Sequence, residues 1–119
     1  MHRLVHTIRF ESARKLTKVP KSHPCSNLYG LAFKLEIHIE GVVNQSTGFV
    51  TDFNNIEEEF EPIKNQLDHN YLNEIKGLEN PTSENLIEWI WNNLESRLGG
   101  LVKLVLWENE VSRVEFKGN

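Results

Sequence analysis

One cysteine and one methionine occur among the 119 residues, so no disulfide can close within the chain, which points to a reducing compartment. No apolar run approaches the ~20 residues that a membrane-spanning helix needs. The start, Met1-His2-Arg3-Leu4-Val5-His6, lacks the apolar stretch of a secretory signal. The cytoplasm is therefore the expected location. Basic residues are outnumbered, 13 Lys and Arg against 17 Asp and Glu, which speaks against the concentrated basic face that a nucleic-acid backbone requires. That deficit leaves a small anionic ligand open, because a few cations converging on one pocket can hold a phosphate on an acidic protein. Repeats and low-complexity segments are also absent. What remains is ordinary globular composition, 39% hydrophobic and 25% charged, at a length that suits one domain over residues 1–119 with a modest core that association of copies would reinforce.

Leu4, His6, Ile8 and Phe10 alternate with Val5, Thr7, Arg9 and Glu11, a period of two that predicts a first strand. Leu31, Phe33, Leu35, Ile37 and Ile39 against Lys34, Glu36, His38 and Glu40 predict a second. Between them, Lys15 to Gly30 carries Pro20, Pro24 and Gly30 and reads as a long loop, a feature often tied to function. Thr47 to Thr51 suggests a short strand after a turn. Ile56, Phe60, Ile63 and Leu67 repeat at helical spacing behind Asp52, Asn54 or Asn55 as candidate N-caps, with Pro62 predicting a kink or break. Leu86, Ile90, Leu94 and Leu98 form the stripe of a second helix, entered through Pro81-Thr82 and stopped by Gly99-Gly100. Leu101 to Glu108 and Val111 to Phe116 read as a closing hairpin. Strands flanking a helical pair imply an α+β domain whose antiparallel sheet is covered by helices on one side.

Several side chains suit acid–base chemistry. Asp68 beside His69 can orient an imidazole and stabilise its protonated form; equally, the pair can be a cap and a surface residue. Cys25 lies in the long loop near Lys18, Lys21 and His23, where cations would raise its thiolate fraction, or it can be an inert thiol. Glu108 closes the apolar run Val102 to Trp107, so its carboxylate can face the paired amino and ring N–H donors of a pterin-like or guanine-like ring, or simply solvent. Thr82, Ser83 and Glu84 read as a capped helix start. Trp89, Trp91 and Trp107 suit core or interface better than ligand stacking. The histidines show no compact metal-binding spacing.

The string Phe10-Glu11-Ser12-Ala13, Val19-Pro20, Cys25, Gly48-Phe49-Val50-Thr51-Asp52-Phe53, Leu67-Asp68-His69-Asn70-Tyr71-Leu72-Asn73 and Gly77-Leu78-Glu79-Asn80-Pro81-Thr82-Ser83-Glu84 resembles the 6-pyruvoyl/6-carboxytetrahydropterin synthase family, in particular the bacterial 6-carboxytetrahydropterin synthase of queuosine biosynthesis. The resemblance implies the tunnelling fold, a four-stranded antiparallel sheet with two helices on one face, assembled as a hexamer from two trimers with pockets between subunits. It implies 7,8-dihydroneopterin triphosphate as substrate, Glu108 gripping the pterin, Cys25 moving protons with Asp68 and His69 assisting, and Thr82, Ser83 and Glu84 lining the same pocket.

Where that family carries its three zinc histidines, this chain has Arg14, Tyr29 and Leu31. A guanidinium stays protonated, leucine has no donor atom and a phenol is a poor ligand, so no zinc and no other cofactor is expected. Loss of metal polarisation worth about 4 kcal/mol would slow the ordinary reaction roughly a thousandfold. Arg14, with Tyr29 as donor, can supply a fixed cation near the substrate instead. Two functions follow: a zinc-independent lyase or aldolase acting on a dihydropterin side chain through Cys25, Asp68 and His69, or a catalytically silent pterin-binding homologue serving as regulatory or partner subunit. A relocated metal on His23 or His38 ranks below both.

Overall fold

The computed structural model describes residues 1–118. Strand β1, His2–Arg14, turns Ile8, Phe10, Ser12 and Arg14 to the buried side and keeps Arg9, Glu11 and most other odd-numbered residues outside. Strand β2, Tyr29–Gly41, runs antiparallel to it along its whole length, from His2 opposite Gly41 to Arg14 opposite Tyr29. Thirteen paired residues span roughly 43 Å, and this ribbon makes the molecule long, 57 × 25 × 24 Å. Helix α1, Phe53–Leu67, follows, then the two-residue strand β3, Asn70–Tyr71. Helix α2, Ser83–Leu94, leads into strands β4, Leu101–Trp107, and β5, Arg113–Phe116.

The sheet order is β3-β1-β2-β4-β5. The expected four antiparallel strands are therefore five in a mixed sheet, because β3 lies parallel to β1 at Ser12 and Ala13. His69 causes this: at φ 59° it turns the chain sharply, and its N–H donates to the Glu11 carbonyl at 2.6 Å. Two residues are too few to show an alternation, so β3 leaves no periodic signal. The expected strand at Thr47 to Thr51 is instead a turn that bonds to itself, with the Asn44 N–H on the Phe49 carbonyl at 2.7 Å.

Helix α1 starts at Asp52, whose carboxylate accepts the Asn54 N–H at 2.9 Å. Pro62 sits inside it without ending it. Pro62 is exposed, so the carbonyl one turn before it is left to water rather than stranded in the core. Helix α2 is capped by Thr82, which accepts the Asn85 N–H at 3.1 Å, and it ends four residues before Leu98. Ile56, Phe60, Ile63 and Leu67 of α1, with Leu86, Ile87, Ile90 and Leu94 of α2, pack on Phe10, Phe33, Leu35, Ile37, Leu104 and Leu106 of the sheet. Each such side chain contributes about 1.5–3 kcal/mol on burial. Trp91 joins this core edge-on to Phe116, with ring centroids 5.5 Å apart. The opposite sheet face carries Arg9, Lys34, Glu36, His38 and Trp107, and no helix among the described residues covers it. No helix among the described residues is long and apolar enough to cross a membrane.

Candidate functional site

The same alternation that points Phe10 and Ser12 inward continues to the last residue of β1, so Arg14 enters the core with 3% of its surface exposed. Its guanidinium is almost fully engaged. Nε donates to the Tyr29 phenol oxygen at 2.9 Å, Nη1 to the Pro81 carbonyl at 3.1 Å and to Ser83 Oγ at 3.3 Å, and Nη2 to Glu108 Oε1 at 2.7 Å. The guanidinium carbon also lies 5.4 Å from the Tyr29 ring and 5.6 Å from that of Phe33, a favourable placement for a cation over aromatic faces.

Ser83 in turn donates its hydroxyl proton to Glu108 Oε1. Glu108 stands just beyond β4 with 32% of its side chain exposed, so Oε1 is spent internally while the carboxylate still reaches solvent. Burial pushes this carboxyl up; the hydrogen bonds from Ser83 and Arg14, with the charge on Arg14, outweigh it and hold Glu108 below the ordinary carboxylate value.

Cys25 lies on a short 3-10 turn, Pro24–Ser26, whose first free N–H is capped by His23 Nδ1 at 3.0 Å. A few residues on, the chain enters β2 at Tyr29. Burial, with the influence of the neighbouring Cys25 thiol, pushes the Tyr29 phenol above its ordinary value, against the lowering influence of Arg14.

Asp68 and His69 form a second group. Asp68 Oδ1 accepts the Glu11 N–H at 2.8 Å, and Oδ2 lies 3.1 Å from His69 Nδ1. The backbone bond from Glu11, opposed by slight burial and helped by His69, lowers the Asp68 carboxyl below its ordinary value. His69 is 76% exposed, with Nε2 3.9 Å from Glu11 Oε2.

The folded chain therefore unites Arg14, Tyr29, Cys25, Ser83 and Glu108, and sets Asp68 and His69 apart. A cavity of about 600 Å³ is lined by Tyr29, Leu31, Trp107 and Glu108, and another of about 630 Å³ by Glu11, Ala13, Leu31 and His69; both include Gly30, Leu31 and Ala32. Thr82 serves as helix cap, and Glu84 is exposed at a small cleft beside Ser83 and Glu108. Among the described residues no three His, Cys, Asp or Glu side chains gather closely enough to hold a metal ion.

Sequence reasoning passed over the supports. Asn73 brackets Lys15, accepting its N–H at 3.0 Å and donating to its carbonyl at 2.8 Å, while Asn80 Oδ1 accepts the Thr17 N–H at 3.1 Å. Both asparagines stand inside the quoted motifs, yet nothing local reveals that they tie the end of β1 to the loop before α2. Arg9 and Lys34 line the Glu108 cavity, although in the sequence they show only as the polar half of an alternation.

A two-layer α+β protein with a buried guanidinium held by a half-buried carboxylate at one end of its sheet is the class these observations define. Residues 3–119 match the family described as 6-pyruvoyl tetrahydropterin synthase, and the chain belongs to that family. It is similar to the dihydroneopterin monophosphate aldolase of Pyrococcus furiosus, 32% identical over 118 residues that cover 97% of this chain and 96% of that protein. It is also similar to the 6-carboxy-5,6,7,8-tetrahydropterin synthase of Synechocystis, 36% identical over 91 residues, covering 72% and 69% respectively. The structure of Caenorhabditis elegans 6-pyruvoyl tetrahydropterin synthase superimposes with a TM-score of 0.91 at 20% identity, covering 99% of this chain and 96% of that one, which establishes the shared fold.

Proposed function

We propose that the chain is a zinc-independent lyase that cleaves the side chain of a phosphorylated dihydropterin by a retro-aldol reaction. The observation that carries this reading is that Arg14, at a position where the family resemblance implies a zinc ligand, is bound to Glu108 and Tyr29. These residues do not fit a zinc ion. Arg14 is a cation whose donors are engaged, Leu31 offers no donor atom, and the phenol of Tyr29 is held above its ordinary value and so stays protonated.

A retro-aldol cleavage can proceed without that metal. A base removes the proton of the 2′-hydroxyl, the C1′–C2′ bond breaks, and its electron pair flows into the C6=N5 imine of the dihydropterin ring. Protonation at C1′ then leaves a 6-hydroxymethyl dihydropterin, and C2′ departs as the aldehyde that carries the phosphate. The ring is the electron sink, so the protein has to hold it and move two protons. Glu108, kept ionised by Arg14 and Ser83, would bind the amino and ring N–H donors of the pterin through its outer oxygen. Cys25 and Tyr29, near enough for the thiol to influence the phenol, would supply a proton donor and acceptor at the side chain.

His69, with Asp68 beside it, would complete the site from a second copy of the chain, because within one copy His69 lines the neighbouring cavity rather than that of Glu108. This makes a homo-oligomer, in the hexameric arrangement its family resemblance implies, the working form. The similarity to an aldolase over nearly the whole length supports the reaction class.

The test is to incubate metal-stripped protein with dihydroneopterin monophosphate and, separately, the triphosphate, following products by mass spectrometry. A 6-hydroxymethyl dihydropterin formed without metal supports the proposal. Turnover only after zinc is added would overturn it, and tight binding without turnover under both conditions would make the chain a silent pterin-binding homologue.

A further inference from the structure

We propose that Arg9 and Lys34, on the uncovered face of the sheet, form the subsite that takes the phosphate of the substrate; this rests on the reading of the chain as a lyase for a phosphorylated dihydropterin. The register of β1 and β2 places Arg9 directly opposite Lys34. Like charges facing each other across a strand pair repel, so such a pair needs compensation. The other cations of that face have it within the chain: Arg3 pairs with Glu40 at 2.5 Å, Lys103 with Glu115 at 3.4 Å and Arg113 with Glu115 at 3.0 Å. Among the described residues neither Arg9 nor Lys34 has an ion-pair partner.

Both line the cavity of about 600 Å³ that Glu108 and Tyr29 also line, a volume suited to one small molecule. A pterin held at Glu108 would thus extend its side chain toward the cation pair. Lys34 is also pre-ordered, with Nζ 4.6 Å from the centre of the Trp107 ring, and that ring is fixed by its own N–H donating to Glu36 at 2.7 Å. Lys34 keeps its three donors for an anion while the indole face stabilises its charge. Arg9 is exposed and adds a planar fork matched to phosphate oxygens. The carboxylate facing this cavity besides Glu108 is Glu110. On a chain of net charge −4, a cation pair without an ion-pair partner among the described residues, with Glu36 as the carboxylate beside Lys34 on that face, gives a phosphate monoester dianion somewhere to bind next to the ring-binding carboxylate.

The experiment compares kcat/KM for dihydroneopterin monophosphate and unphosphorylated dihydroneopterin in the intact protein, in the Arg9→Gln/Lys34→Met double variant and in Arg9→Lys. The preference for the phosphorylated substrate is expected to fall at least about tenfold in the double variant, the scale of losing two charge-assisted contacts, with Arg9→Lys retaining part of it. An unchanged preference overturns the subsite. Should the intact protein cleave neither compound, calorimetric titration with inorganic phosphate decides. Binding that weakens at least tenfold in the double variant keeps the subsite and removes the lyase reading, whereas equal or undetectable binding in both proteins removes the subsite.

Discussion

A buried arginine at the end of β1 makes sense only through its partners. With 3% of Arg14 exposed and Glu108 as its one carboxylate partner among the described residues, Glu108→Gln leaves a desolvated cation and should destabilise the protein by roughly 2–3 kcal/mol, less than for a fully enclosed pair because Glu108 is partly solvated. The pH dependence follows from sign. Glu108 is lowered in the folded state, so its contribution is complete above the ordinary glutamate range, about 4.3, and is lost as pH falls through the lower folded value. The melting temperatures of Glu108→Gln and the intact protein should therefore differ most near pH 7 and converge toward pH 3; a gap independent of pH would show that the pair is not the cause. Tyr29→Phe and Cys25→Ser test the proton-moving role. Each should lower kcat by about 10²–10⁴-fold with little change in KM, the range for loss of a general acid or base, and activity of the intact enzyme should survive exhaustive chelation.

Two elements carry features that sequence rules alone judge harshly. Pro62 lies inside α1 on its exposed side, where it removes one helical hydrogen bond. Pro62→Ala restores that bond and should raise stability by on the order of 1–3 kcal/mol in a denaturant titration. Gly100, at the entry to β4, has φ +79°, and a Cβ there would come within 2.5 Å of the Glu40 carbonyl oxygen. The close approach serves a purpose, since Glu40 N–H donates to the Gly100 carbonyl at 2.9 Å where the β2–β4 register shifts. Gly100→Ala should cost on the order of 2 kcal/mol or more through strain and displaced backbone, and a variant as stable as the parent would show that this junction yields easily.

At the scale of the whole molecule, the separation of His69 from Tyr29 and Glu108 into neighbouring cavities is what a chain carrying two half-sites would show. Mixing Cys25→Ala with His69→Ala subunits, each inactive alone, should restore measurable turnover through the sites that receive both intact halves. Continued inactivity of a well-mixed oligomer would place the whole reaction within one chain and require His69 to act elsewhere.

The sequence alone determined what depends on local pattern. Alternation in Leu31 to Glu40, the stripe Leu86-Ile90-Leu94 and the Thr82 cap specify β2 and α2, because burial of one face and satisfaction of a helix end are decided by neighbours in the chain. The motifs around Asp68-His69 and Asn80 to Glu84 were enough to point to the pterin synthase family. Other features arose only on folding. The short parallel strand β3 exists because His69 turns the chain onto Glu11, 58 positions earlier, and Pro62 is tolerated because tertiary packing leaves its side of α1 in water. Above all, Arg14 could be read from sequence as a cation free to meet substrate. Its partners Tyr29, Pro81, Ser83 and Glu108 lie 15 to 94 positions away, and only the fold brings them together to turn that charge inward and hold the carboxylate in place. Burial at one end of a sheet is a long-range property, and so is the chemistry it sets.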